Sequence, residues 1–214
     1  LITIPSPPGG SSFLMMKYEV TQALYEEVMG TNPSYYKGPQ RPVEKVSWED
    51  GVAFCNALSM REGLQPAYNG TDNDCTLIEG ATGYRLPFEA EWEWAARGGE
   101  DYTWAGSDNV DEVAWHIGNS GHETHPVGQK QPNGYGLYDM SGNVWEWTLD
   151  EWHGSYSGAP SSGDQPWGYV PICSQRCDRG SPRRVVRGGS WDLSASYLRV
   201  ARRSRDSSGS RDFF

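Results

Sequence analysis

Apolar and polar residues follow a helical period in only three stretches of this chain. The first is Gln22–Met29, where Leu24, Tyr25, Val28 and Met29 share a face, Thr21 is a ready N-cap and Gly30 a ready stop. The second opens at Ser47-Trp48-Glu49-Asp50, a hydroxyl with an acid three residues on. That capping-box pattern leads into Val52, Ala53, Cys55, Ala57 and Leu58 and predicts a helix to about Arg61. The third follows Pro87, which suits a first helical turn. Acids stand near its start, Gly98 ends it, and Trp92 and Ala96 are predicted to face inward together. Leu1–Ile4 and Phe13–Val20 read as strands, and residues 63–83 as strand and turn fragments. Beyond Gly99 no long helical period returns; short aromatic-rich strands and Gly, Pro and Asn turns take over. The pattern predicts an α+β fold with two to three short helices on small antiparallel sheets and much irregular structure.

Composition adds the material of the core. The 214 residues are read as one domain, 1–214, and ten Trp and twelve Tyr let few, large side chains fill it. No run approaches the length of apolar chain that a membrane span needs. The chain opens on Leu1 without a charged-then-apolar leader, so membrane attachment is expected only through a removed lipid anchor. Cys55 lies in an apolar helical run and reads as core. Cys173 and Cys177 suit a small disulfide loop in an oxidising compartment and lack further zinc ligands. His116, His122, His125 and His153 lie in one loop-rich region without helical metal spacing and read as surface histidines or ones that support their neighbours.

Charge divides the chain unevenly. The whole carries −10, yet residues 179–214 hold nine Arg and three Asp. The arginines are scattered among Asp and Ser, and the body is acidic, which argues against nucleic acid as a partner. The same end has an unusual make-up. Arg187-Gly188-Gly189-Ser190-Trp191 suits a tight turn running into a packed anchor, and residues 192–214 then contain no Lys, Glu, Gln, Met or Trp. No helical or strand period runs through them. A frayed terminus is one reading. A binding surface is the sharper one, because Tyr, Ser, Gly and Arg are what adaptable paratopes use.

Three long motifs in order carry a family resemblance that extends from about Phe13 to Phe214. They are Gly83-Tyr84-Arg85-Leu86-Pro87-Phe88-Glu89-Ala90-Glu91-Trp92-Glu93-Trp94-Ala95-Ala96-Arg97-Gly98-Gly99, Asn133-Gly134-Tyr135-Gly136-Leu137-Tyr138-Asp139-Met140-Ser141-Gly142-Asn143-Val144-Trp145-Glu146-Trp147, and Arg187–Trp191. Together they resemble the formylglycine-generating enzyme (sulfatase-modifying factor) superfamily, and the resemblance implies a C-type-lectin-like fold. It also implies that oxidase members carry a cysteine pair where this chain has Leu193 and Leu198. Leucine offers neither a metal ligand nor a nucleophile, so no copper and no oxidase catalysis are expected. Phe88 replaces the family's capping hydroxyl.

Within that superfamily the tail is similar to the retroelement-diversified variable proteins of treponemes. Adenine-directed mutagenesis of Asn-type codons cannot reach the five residue types missing from 192–214. The resemblance implies a ligand-binding display protein at a bacterial cell surface or facing the periplasm, with a protein or surface ligand as partner. Its changeable positions would be Asp192, Leu193, Ser194, Ser196, Tyr197, Arg202, Ser204, Arg205, Asp206, Ser208, Ser210, Asp212, Phe213 and Phe214. Trp191, Arg199, Ala201, Arg203 and Arg211 would face the scaffold or stay fixed. It further implies calcium held by Asp139, Gly142, Val144 and Glu146, two side chains and two carbonyls supplying hard oxygen. The alternative is an oxidase or accessory factor acting on sulfatases.

Overall fold

The computed structural model describes residues 1–7, 9–70, 75–160, 165–168 and 183–212. Cys173, Cys177, Phe213 and Phe214, all singled out above, lie outside these residues. The chain opens with a short hairpin, β1 (Ile2–Ile4) against β2 (Phe13–Met15), with Ile4 opposite Phe13. The strand expected to run to Val20 stops at Met15, and Thr21 instead bridges Pro42.

The helices α1 (Gln22–Met29) and α2 (Trp48–Arg61) start and stop where their caps predict. Thr21 accepts from the Leu24 amide, and Gly30 takes the left-handed conformation. At α2 the box closes both ways: Ser47 Oγ accepts from Asp50 N at 3.1 Å, and Asp50 Oδ2 accepts from Ser47 N at 2.8 Å. Ser47→Ala removes half of it and is expected to cost about 1 kcal/mol, read from a denaturant unfolding midpoint. The two helices pack through Tyr25 stacked on Phe54, ring centroids 5.4 Å apart.

A two-residue ladder, β3 (Tyr68–Asn69) with β4 (Thr76–Leu77), precedes α3 (Glu89–Arg97). Pro87 proves to lie before α3 rather than in its first turn, because Phe88 is the N-cap with extended backbone. Phe88 has no hydroxyl to offer, but Glu91 still accepts from its amide at 2.9 Å, so half of a capping box survives. Freed from capping, the Phe88 ring joins the core, with the Arg85 guanidinium 4.0 Å from its centroid. The far end of α3 is closed from a distance. Asn133 Nδ2 donates to the carbonyls of Ala95 at 2.7 Å and Ala96 at 3.1 Å, so the residue before Gly134 caps a helix. A single turn, α4 (Val110–Val113), follows.

The main sheet has the order β5-β6-β7, from Glu146–Glu151, Arg183–Arg187 and Ser204–Ser207, all antiparallel. β5 breaks register between Trp147 and Glu151 and is buried on both faces. Around it the core is built from large rings, three of which place their N–H groups on acceptors. Trp48 donates to Thr148 O at 3.0 Å, Trp147 to Val46 O at 3.1 Å, and Trp92 to a Glu146 carboxylate oxygen at 2.9 Å. Both Trp92 and Ala96 are fully buried, as their spacing predicts. The small antiparallel sheets, short helices and long irregular connections are an α+β architecture, consistent with the C-type-lectin-like fold that the resemblance implies.

Candidate functional site

β6 delivers the chain to Gly188 and Gly189, at φ 87° and 81°. A Cβ on Gly189 would stand 2.9 Å from a Leu198 methyl and 3.1 Å from Tyr197 O, so only glycine lets the following loop fold back this closely. Gly189→Ala combines that overlap with an unfavourable φ and is expected to cost about 2 kcal/mol or more, measured by chemical unfolding. Trp191 then anchors the turn, buried, with Tyr36 edge-on at 5.4 Å and its amide donating to Asn143 O at 2.9 Å.

From Asp192 to Arg203 the body grips the main chain and leaves most side chains outside. Ile117 N donates to Leu193 O at 3.1 Å and Trp104 Nε1 to Ala195 O at 2.8 Å. Ser141 Oγ donates to Leu198 O at 2.9 Å, and Val200 N to Thr103 O at 3.0 Å. Residues Ala195–Tyr197 form one 3-10 turn, after which the chain alternates: Leu198 and Val200 are buried, Tyr197, Arg199 and Ala201 exposed.

Arg187 and Glu89 close the far end of this loop. Arg187 is fully buried; its guanidinium donates to Arg202 O at 2.6 Å and to Glu93 at 2.5 Å, and lies 3.7 Å from Glu89. Glu89, buried at the start of α3, takes Arg203 with both oxygens at 2.5 and 2.7 Å. The last stretch returns as β7, pairing Val185 with Arg205 and Val186 with Ser204 at the sheet edge. Ser208 O then accepts from Trp48 N at 2.9 Å, and Arg211 pairs with Asp50.

The expected display positions divide accordingly. Asp192, Ser194, Ser196, Tyr197, Arg202, Arg205 and Asp212 are exposed, and Leu193, Ser204, Asp206 and Ser210 half-buried. Ser208 is a correction: it is fully buried, held where the chain passes beneath α2. Of the positions expected to face the scaffold or stay fixed, Arg199, Ala201 and Arg211 are exposed, Arg211 while pairing with Asp50, whereas Trp191 and Arg203 face the scaffold. A strand at 204–207 is a second correction. Its pairing is through the main chain, so Ser-Arg-Asp-Ser needs no apolar alternation. Sequence reading also missed Glu89, whose partners stand far along the chain, and Tyr102 and Arg97, which share a cleft with residues 199–203.

Leu193 and Leu198 pack with Val113 and Ala114 in one apolar cluster. The two cysteines among the described residues, Cys55 and Cys75, are buried in a different cluster. Burial pushes the Cys55 thiol up to about 12, the reverse of what a reactive thiolate needs.

Beneath the loop lies a group of acids. Asp139 Oδ2 accepts from Gly128 N at 2.7 Å, Glu146 Oε2 from Trp92 Nε1, and Glu19 from Val144 N at 3.1 Å and Asn143 Nδ2 at 2.7 Å. Loss of water pushes Asp139 up to about 6 and Glu146 up to about 7, and raises Glu19, which also feels the other two. Asp139 and Glu146 each keep one carboxylate oxygen outside these hydrogen bonds. Among the described residues no three His, Cys, Asp or Glu side chains converge to hold a metal by themselves. A cation here would therefore need backbone carbonyls such as those of Gly142 and Val144. Carboxylate oxygens, raised in pKa by burial, and main-chain carbonyls are the hard donors that a divalent ion such as calcium takes.

Comparison with known proteins agrees with this architecture. Residues 10–213 match the model of the sulfatase-modifying factor enzyme 1-like domain. The chaperone protein LppX of Paenibacillus barcinonensis is 39% identical, covering 89% of this chain and 73% of its own. The formylglycine-generating enzyme of Thermomonospora curvata is 31% identical over 86% of this chain, which spans only 57% of the enzyme. Among solved structures, Treponema denticola variable protein 1 superposes with a TM-score of 0.78 at 38% identity, covering 94% of this chain and 81% of that one. A chain matched by the family model over nearly its whole length, with the motifs of α3, the Asn133–Trp147 run and the Arg187–Trp191 turn in place, belongs to the sulfatase-modifying factor enzyme 1-like family.

Proposed function

We propose that this protein is a non-enzymatic ligand-binding member of the family, with residues 192–212 as its changeable binding surface. The observation that carries the reading is the division of labour in that segment. Its carbonyls are held by Trp104, Ile117, Ser141 and Arg187, while Tyr197, Arg202 and Arg205 project from the body. Recognition can then change without disturbing the scaffold. The likeness to a treponemal variable protein and the missing residue types in 192–214 support the same reading. A cell-envelope location, with a protein or surface ligand as partner, goes with it. No helix among the described residues is long and apolar enough to cross a membrane.

Calcium bound by Asp139, Glu146 and the carbonyls of Gly142 and Val144 would stiffen the floor of this surface. Glu19 would orient the same turn through Asn143 and Val144. The ion's contribution would be structural, neutralising carboxylates that otherwise resist ionisation.

The genomic test is a near-identical copy of the codons for residues 192–212 beside a reverse-transcriptase gene, differing at adenines. Its absence would leave diversification without a source. The protein test is a library randomised at Asp192, Ser194, Ser196, Tyr197, Arg202 and Arg205, displayed and selected against a panel of soluble proteins. Folded binders differing in these positions are expected. Loss of folding across the library would overturn the reading. The formylglycine-generating relatives favour a second reading, oxidation of a sulfatase peptide. Incubation with copper, reductant and such a peptide is expected to yield no aldehyde, because leucines stand in the thiol positions.

A further inference from the structure

A cleft of about 450 Å³ opens between the displayed segment and the loop after α3, lined by Arg97, Tyr102, Thr103 and residues 199–203. We propose that this cleft takes the carboxylate side chain of an acidic peptide segment on a protein partner. The proposal rests on the binding-surface reading and names the chemistry of its ligand.

Four arginines line the cleft, and two are already occupied. Arg97 pairs with Glu93 at 2.8 Å and lies 3.8 Å from Asp101, and Arg203 spans both oxygens of Glu89. Arg199 and Arg202 differ. Both are exposed, and neither has a carboxylate partner among the described residues. Arg199 donates its Nε to Ser196 O at 3.0 Å and keeps both terminal nitrogens for a ligand. The Arg202 guanidinium stands 4.8 Å from the Tyr197 ring centroid, which holds it at the rim without neutralising it. A planar fork of N–H donors is the group that matches a carboxylate with two parallel bonds.

The surroundings choose among anions. Tyr102 and Tyr197 are each 42% exposed, so apolar ring area flanks the cations, the pairing that anchors polypeptide ligands. Asp101 and Glu93 stand at one side of the cleft, and the chain as a whole carries −10. An extended polyanion would run from the arginines onto this acidic body and be repelled. One carboxylate with an apolar neighbour fits without that conflict.

The test pans a phage-displayed library of short random peptides against the purified full chain, the Arg199→Glu/Arg202→Glu variant and the Tyr197→Ala variant. Wild type is expected to enrich peptides with Asp or Glu beside an apolar residue. The double charge reversal should weaken those peptides by about 100-fold, enrich Lys or Arg peptides in their place, and leave the thermal midpoint within a few degrees. Peptides without acidic preference, bound by wild type and lost in Tyr197→Ala, would overturn the cleft assignment while the binding surface stood. Peptides indifferent to all three substitutions would overturn both. No enrichment, or equal competition by inorganic phosphate or heparin, would overturn the assignment to an acidic peptide.

Discussion

Arg187→Met is expected to destabilise the protein by about 3–5 kcal/mol, the cost of breaking a buried, hydrogen-bonded charge cluster by removing one partner. Arg187 is fully buried between Glu93 and Glu89, with its ring neighbour Trp92 at 5.0 Å, and it supplies the hydrogen bond to Arg202 O. Methionine fills similar space but leaves that carbonyl without its donor and two carboxylates short of a cation. Glu93 retains Arg97 and Glu89 retains Arg203, which keeps the loss from being larger. For a chain of this size the thermal midpoint should fall by roughly 10 °C. The exposed neighbour Arg199→Met is the control, expected within about 0.5 kcal/mol of wild type. A loss below about 1 kcal/mol for Arg187→Met would mean that the cluster does not hold the loop.

Calcium is expected to offset part of the stability that the protein loses as pH rises. In chelator, Asp139 at about 6 and Glu146 at about 7 sit above their unfolded values, as does the raised Glu19. A raised carboxyl favours the folded state when protonated, so its contribution is fully present below the ordinary carboxylate range and lost as pH rises through the folded values. The thermal midpoint should therefore fall between about pH 5 and about pH 8. Asp150, up to about 6 from burial and accepting from the Trp167 and Glu89 amides, adds its own part to the fall. At about pH 8, calcium at roughly 100 times its dissociation constant should restore about 2.7 kcal/mol, a rise of roughly 5–10 °C. Asp139→Asn combined with Glu146→Gln should abolish that rise and reduce the pH slope to the part that Glu19 and Asp150 contribute. An unchanged midpoint on adding calcium at this pH would contradict the site.

The parts of this molecule that its sequence discloses are the ones decided locally. Thr21, Ser47 and Gly30 delimit their helices because a cap is satisfied within one turn. Pro87 misleads for the same reason: its fixed φ suits a first turn equally well as the residue before the cap. What stays hidden depends on distant partners. Glu89 reads as an ordinary helix-start acid, yet Arg203 and Arg187 meet it from more than ninety residues away. β7 is invisible because an edge strand can be held by main-chain bonds to β6 alone. In the tail, the alternation of buried Leu198 and Val200 with exposed Tyr197, Arg199 and Ala201 spans only five residues, too few to register as a period. Sequence composition marks the segment as unusual, and only the body's grip on its carbonyls shows which side chains are presented.

Simultaneous replacement of Asp192, Ser194, Ser196, Tyr197, Arg202 and Arg205 by residues of different size and charge, followed by thermal unfolding, probes the central claim most directly. Since each surface change away from buried features is worth about 0.5 kcal/mol or less, the six together should move the midpoint by less than about 10 °C. A fall of more than about 15 °C, or failure to fold, would show that these side chains support the core and are not there to meet a ligand.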